Sequence, residues 1–336
     1  MTPTILPVIW FLIVCLEIGL YVILDGADLG IGILSLLPQE AKNRSLLMHT
    51  VGPIWDANET WLVVAGGSLF GAFPSAYAII LNALYIPVFM IIFGLIFRAV
   101  SFDFAKMSTH EHFWHRAFGF GSVLAIMGQG FAAGGLLSGI TIVNGRFAGG
   151  PLDWLSPLSF LVAFGIMMSY VVVGYAYLIK KTDHEFQEQS FSRVIIASGL
   201  TFMTFVAATA ILPFQHYIFL SRWTMEPTRT ILFAISGVIG LVSSVLLYGT
   251  LRHTLRKHLH NLCIAIFLLA FLGLLVGVYP YMIPPLLTIF DLAASDKTLT
   301  FMLWGIGPLL PIVLGYNFYL YRVFRNHPFE EDGEEY

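Results

Sequence analysis

Long apolar runs separated by short polar stretches dominate the chain. They cover 5–37, 50–73, 76–97, 117–143, 157–179, 194–219, 230–250, 261–283 and 299–321. A bilayer-crossing helix needs about 20 apolar residues in a row, whereas a membrane β-strand needs about 10 that alternate. The pattern therefore predicts an all-α integral membrane protein with nine transmembrane helices. The first run is longer than a bilayer requires: its 33 residues would make about 49 Å of helix. It must tilt, protrude or break near Gly26 and Gly30. Only a tight turn at Pro74-Ser75 joins the second and third runs.

Composition agrees with this reading. The chain has 336 residues, 57% hydrophobic and 11% charged, where a soluble domain carries about 25% charged residues. No polar loop is long enough for a soluble domain, so residues 1–329 form one polytopic membrane domain. Residues 330–336 form an acidic tail, expected to be disordered. The N-terminus has no Lys or Arg before its apolar run and reads as a true first helix, not a cleaved signal. Basic residues set the orientation. One set of loops holds Lys42, Arg44, Arg98, Lys106, Arg116, Lys180, Lys181, Arg193, Arg252, Arg256, Lys257, Arg322 and Arg325. The other holds only Arg146, Arg222, Arg229 and Lys297. The asymmetry places the N-terminus on the periplasmic side and the C-terminus in the cytoplasm, with an odd number of spans. Because the basic residues are dispersed among short loops, nucleic-acid binding is not supported.

Acidic residues within apolar runs are the main candidate chemistry. Asp25 and Asp28 lie in Leu24-Asp25-Gly26-Ala27-Asp28-Leu29-Gly30, and Asp56 and Glu59 in Gly52-Pro53-Ile54-Trp55-Asp56-Ala57-Asn58-Glu59-Thr60-Trp61. Each pair is spaced i, i+3 and shares a helix face. An acidic side chain at the bilayer centre costs about 2.5–3.5 kcal/mol on insertion scales. Both clusters fall in the cytoplasmic half at similar depth, so the two helices can face each other there. Facing carboxylates repel unless some carry protons, which suits a proton relay. The competing reading is hydrogen bonding between helices or to a partner subunit. Glu17, about two turns outward of Asp25, is a fifth acidic candidate. Arg98 and Asp103 are expected near the membrane surface, pairing, anchoring or snorkelling.

Other residue types suggest little chemistry. None of the ten histidines falls mid-helix; His216, beside Pro213, lies near an outer helix end. A bis-histidine haem site within this chain is therefore not expected, and no zinc-ligand spacing occurs. Cys15 and Cys263 read as small core residues. Glycines four apart, at Gly26/Gly30, Gly67/Gly71, Gly130/Gly134, Gly135/Gly139 and Gly273/Gly277, predict close helix packing.

At the two acidic motifs the chain resembles subunit II of the cytochrome bd-type quinol oxidases, close to their cyanide-insensitive branch. The similarity continues through Ala65-Gly66-Gly67-Ser68-Leu69-Phe70, Phe97-Arg98-Ala99-Val100-Ser101-Phe102-Asp103, Gly121-Ser122 and Asp153-Trp154-Leu155-Ser156-Pro157. Beyond these, the second half matches in hydropathy and length only. The resemblance implies a bacterial inner-membrane enzyme that oxidises quinol and reduces oxygen to water. It implies an obligate partner, subunit I, carrying haem b558, haem b595 and haem d, with none ligated by this chain. It also implies a body of two four-helix bundles plus one helix, and leaves room for a small accessory subunit. Carried over by position, Asp56 would sit on a proton route, with Asp25 and Asp28 lining or supporting it; Glu59 and Glu17 are further proton-path candidates from their own positions in the apolar runs. Trp55 would lie where some members bind a quinone, and Arg98 and Asn58 would support assembly near the interface. Two positions depart from the pattern. His115 follows Trp114 where the family often has Asp, and Ala27 stands where an aromatic residue is common.

Two further readings compete with an oxidase subunit. A proton- or cation-coupled transporter would also use broken helices and paired carboxylates, and would show matching interruptions in its two halves. A purely structural assembly factor would tolerate neutralisation of Asp56.

Overall fold

A computed structural model describes residues 5–37, 47–181, 184–251 and 259–324. Its helices are α1 (Leu6–Ser35), α2 (Trp55–Ala72), α3 (Pro74–Ala83), α4 (Tyr85–Met107), α5 (Glu111–Ser138), α6 (Pro157–Lys181), α7 (His184–Gln215), α8 (Tyr217–Thr224), α9 (Thr228–Leu251), α10 (Leu259–Val278), α11 (Ile289–Leu292) and α12 (Asp296–Val323). Two small antiparallel hairpins, β1 (Ile142–Val143) with β2 (Arg146–Phe147) and β3 (Tyr281–Ile283) with β4 (Leu287–Thr288), lie between helices. In the first, Asn144 and Gly145 both have positive φ, as an Asn-Gly two-residue hairpin turn requires. Seven of the described helices are long and apolar enough to cross a bilayer, or eight if the α8–α9 pair, bent by 82°, is one span. Lys42, Arg44, Arg252, Arg256, Lys257, Arg325, His253, His258, His327 and the acidic tail lie outside the described residues.

The first apolar run does not break. α1 is continuous over 30 residues and carries Gly26 and Gly30 in its interior as packing notches. A Cβ on Gly30 would sit 1.9 Å from the carbonyl oxygen of Tyr170, and one on Gly26 would sit 2.8 Å from the Tyr170 ring. α1 thus lies directly on the backbone of α6. It also packs on α2 and α5, which makes it the hub of the fold. Small residues set other crossings in the same way: Gly94 and Gly121 bring α4 to α5, and Gly130 and Gly134 bring α5 to α6. The spacing rule does not hold at every pair, because Gly67 and Gly277 have open space beside them.

Proline explains the interruption between α3 and α4. Pro87 has no N–H to donate to the carbonyl of Ala83, four residues back, so the helix stops at Ala83 and restarts at Tyr85. At the other end of the chain, the Trp10 indole N–H donates to the Leu299 carbonyl at 3.0 Å and ties α1 to α12. Outward faces are apolar: Phe89, Phe93, Phe301 and Trp304 are exposed, the inverse of a water-facing surface and suited to lipid or a partner.

Before α12, the Asp291 carboxylate accepts from the Thr288 backbone N–H at 2.8 Å and its hydroxyl at 2.6 Å, closing a capping box. These bonds hold the Asp291 carboxyl below its ordinary range. We expect Asp291→Ala, which removes these hydrogen bonds, to cost about 0.5–1.5 kcal/mol, read as a lower Tm of the purified protein. Because the folded pKa is depressed, this stabilisation is present above about pH 4 and fades as pH falls through the lowered value.

Candidate functional site

Residues 17, 21, 25 and 28 share one face of α1, and the structure buries Glu17, Tyr21, Asp25 and Asp28 almost completely. Each meets a polar partner from another helix. Arg98 of α4, fully buried, pairs through Nη1 with Asp25 and through Nη2 with Glu59 of α2 at 2.7 Å. Asn58 Nδ2 donates to Asp28 Oδ2 at 2.7 Å, and the Tyr321 hydroxyl of α12 donates to Asn58 Oδ1 at 3.1 Å. Gln129 of α5 donates to the Tyr21 hydroxyl and accepts from the Tyr170 hydroxyl of α6, both at 2.8 Å. One turn further toward the N-terminus of α1, Ser68 Oγ donates to Glu17 Oε1 at 2.9 Å.

Six helices therefore converge on one polar thread, which covers about 16 Å along α1 at 1.5 Å per residue. Three of its carboxylates keep one oxygen without a hydrogen-bond partner among the described residues: Glu17 Oε2, Asp25 Oδ2 and Asp28 Oδ1. Asp25, Asp28 and Glu59 surround a single guanidinium, so the group holds two more acids than bases. A buried charge is tolerated only when paired and hydrogen-bonded, and Arg98 supplies that pairing.

Two expectations need correction. Arg98 neither snorkels nor pairs with Asp103. It points inward to Asp25 and Glu59, while Asp103 is exposed. Nor does the i, i+3 spacing of Asp56 and Glu59 bring both into the cluster. Asp56 is exposed, and the buried polar residue beside Glu59 is Asn58. Tyr21, Gln129, Tyr170 and Tyr321 were not legible as site residues. The one available signal was Tyr21, which falls on the acidic face of α1. Trp55 stacks on Phe102, with ring centroids 5.2 Å apart and planes 10° apart, and the Arg98 guanidinium lies 5.8 Å from its ring centroid. His216 Nε2 lies 3.1 Å from the Ser138 carbonyl oxygen. Among the described residues, no group of three or more His, Cys, Asp or Glu side chains is arranged to hold a metal ion.

Comparison with known proteins decides what carries this cluster. The family model for cytochrome bd terminal oxidase subunit II matches residues 6–324. The chain belongs to that family. Among its relatives, cytochrome bd-I ubiquinol oxidase subunit 2 of Escherichia coli (strain K12) is 26% identical, with 93% of this chain and 92% of that protein covered. Cytochrome bd ubiquinol oxidase subunit 2 of Bacillus subtilis (strain 168) is 25% identical, with 94% and 95% covered. The structure of bd oxidase from Geobacillus thermodenitrificans shares the fold, with a TM-score of 0.79 over 96% of this chain and all of that one, at 18% identity.

As a cytochrome bd subunit II, the chain is a multi-pass inner-membrane protein and part of a terminal oxidase complex, with a subunit I as its implied partner. Continuous α1 also lacks the interruption that the transporter reading relied on.

Proposed function

We propose that this chain stabilises the haem-bearing subunit I of a quinol oxidase and carries protons from the cytoplasmic side toward the site of oxygen reduction. The observation that supports this most is the buried group of Asp25, Asp28 and Glu59 around Arg98. With two more acids than bases, and with unpartnered carboxylate oxygens, it can hold and hand on a proton. Exposed Asp56, one turn from Glu59, is the group that collects protons from the cytoplasmic side. Quinol oxidation and the haems, b558, b595 and d, belong to subunit I in this reading. This chain contributes proton supply and a rigid wall.

The topology follows from the same reading. α2 supplies the remaining span of a nine-helix protein, arranged as two four-helix bundles plus one helix. It is an 18-residue helix whose apolar character is diluted by Asp56, Asn58 and Glu59. The N-terminus is periplasmic and the C-terminus cytoplasmic. Arg98 and Asn58 support assembly by locking α4 and α12 to α1 and α2. A quinone at Trp55 would meet the part of the ring that Phe102 does not cover.

Asp56→Asn keeps the shape of the side chain and removes its proton exchange. We expect oxygen consumption per haem to fall by about 10-fold or more, with haem content and subunit ratio unchanged. Unchanged oxygen consumption per haem would remove Asp56 from the route.

A further inference from the structure

The polar thread does not stop at Asp25. Glu17 lies two turns further along the same face of α1, fully buried, eight residues toward the N-terminus. Its Oε1 accepts from Ser68, itself fully buried, and its Oε2 has no partner among the described residues. α1 and α2 run antiparallel here, since Asn58 meets Asp28 at one end of the seam and Ser68 meets Glu17 at the other. Between those contacts α2 turns Trp61 and Ala65 inward. The Trp61 indole N–H is also buried without a partner among the described residues.

A carboxylate oxygen and an indole N–H left unpaired in a protein interior each cost about 1–3 kcal/mol. Buried polar groups of this kind are ordinarily satisfied by protein or by water. Here a donor and two acceptors, Trp61 Nε1, Asp25 Oδ2 and Glu17 Oε2, occur along one helix–helix seam. On α2 beside Ser68, Gly66 and Gly67 carry no side chain and have open space around them.

We propose that Glu17 is a further proton-carrying residue of this subunit. Protons reaching Asp25 continue along the α1–α2 seam to Glu17, which Ser68 positions. The inference rests on the proton-conducting reading above and extends it toward the N-terminal end of α1. Each step moves one proton from a carboxyl group to a carboxylate, with no change of redox state in this chain.

The test uses the purified oxidase complex, with proton uptake from the medium followed after the fully reduced enzyme meets oxygen. For Glu17→Gln we expect full haem content and wild-type oxygen binding, but oxygen-linked proton uptake slowed by about 10-fold or more. Glu17→Asp should recover part of the rate. Wild-type uptake in Glu17→Gln would overturn the proposal. If that variant does not assemble, Ser68→Ala decides: slowed uptake with normal oxygen binding supports the relay, and normal uptake sinks it. Asp56→Asn, run in parallel, separates the two layers. Slow uptake in Asp56→Asn beside normal uptake in Glu17→Gln removes only the extension, while normal uptake in both removes the conducting role altogether.

Discussion

Arg98→Ala is expected to abolish accumulation of the assembled oxidase. The substitution leaves Asp25 and Glu59 without their shared cation, one of them fully buried and the other mostly so. Removing one partner of a buried ion pair costs about 3–5 kcal/mol, because the remaining charge has neither water nor counter-ion. Here one guanidinium serves two carboxylates on two helices, so the loss also unties α4 from α1 and α2. Native proteins are stable by only about 5–15 kcal/mol, and a defect of this size in the central helix contact is expected to show as missing complex. The measurement is haem per milligram of membrane protein together with the amount of this subunit. Arg98→Lys should retain part of the yield, because an ammonium keeps the charge but cannot fork to both carboxylates. Normal haem yield in Arg98→Ala would show that the pair is dispensable for assembly.

The second large effect is expected at Gly30. A leucine there would drive its Cβ into the Tyr170 carbonyl, 1.9 Å away, and toward Gly174 Cα at 3.2 Å. Both obstacles are backbone, so no rotamer change relieves the clash and α1 must lift from α6. Overpacking costs about 1–3 kcal/mol even where side chains can give way, and Gly30→Leu should exceed that range. Tyr170 would shift with α6 and draw the Gln129–Tyr21 hydrogen bonds out of register. The expected result is a strong drop in Tm and haem content of the purified complex. Gly199→Ala is the matched control. Its Cβ meets nothing within 4 Å, and alanine favours the helix by up to about 1 kcal/mol, so its Tm should hold or rise slightly. A Gly30→Leu complex with wild-type Tm would contradict the packing described for α1 and α6.

Much of this architecture was legible in the hydropathy of the chain. Each predicted apolar run contains a helix, but the run 76–97 is split between α3 and α4 and the α8–α9 bend was not anticipated. The acidic face of α1 was equally legible, since residues three and four apart on a helix must share a side. The inner face of α2 was misjudged. Asp56 and Glu59 are 300° apart on the helical wheel at 100° per residue, which allows a common side but does not say which flank is buried. Only packing against α1 settles that Asn58, Trp61, Ala65 and Ser68 point inward and Asp56 points out.

Arg98 shows the same limit more sharply. At the end of an apolar run, its sequence position is equally consistent with snorkelling to water or turning inward. Its partners lie 73 and 39 residues away, beyond any local periodicity. Tyr321, 263 residues from Asn58, is further still.

What the amino-acid sequence determined, then, was a helical membrane protein, its family motifs, and which acidic residues share a helix face, because hydropathy and the 3.6-residue period act locally. Tertiary structure alone decided which of those residues meet: Arg98 between Asp25 and Glu59, Asn58 between Asp28 and Tyr321, Ser68 against Glu17. In lipid the apolar helices offer nearly equivalent faces to one another, and small-residue contacts such as Gly30 on Tyr170 select among them by close approach.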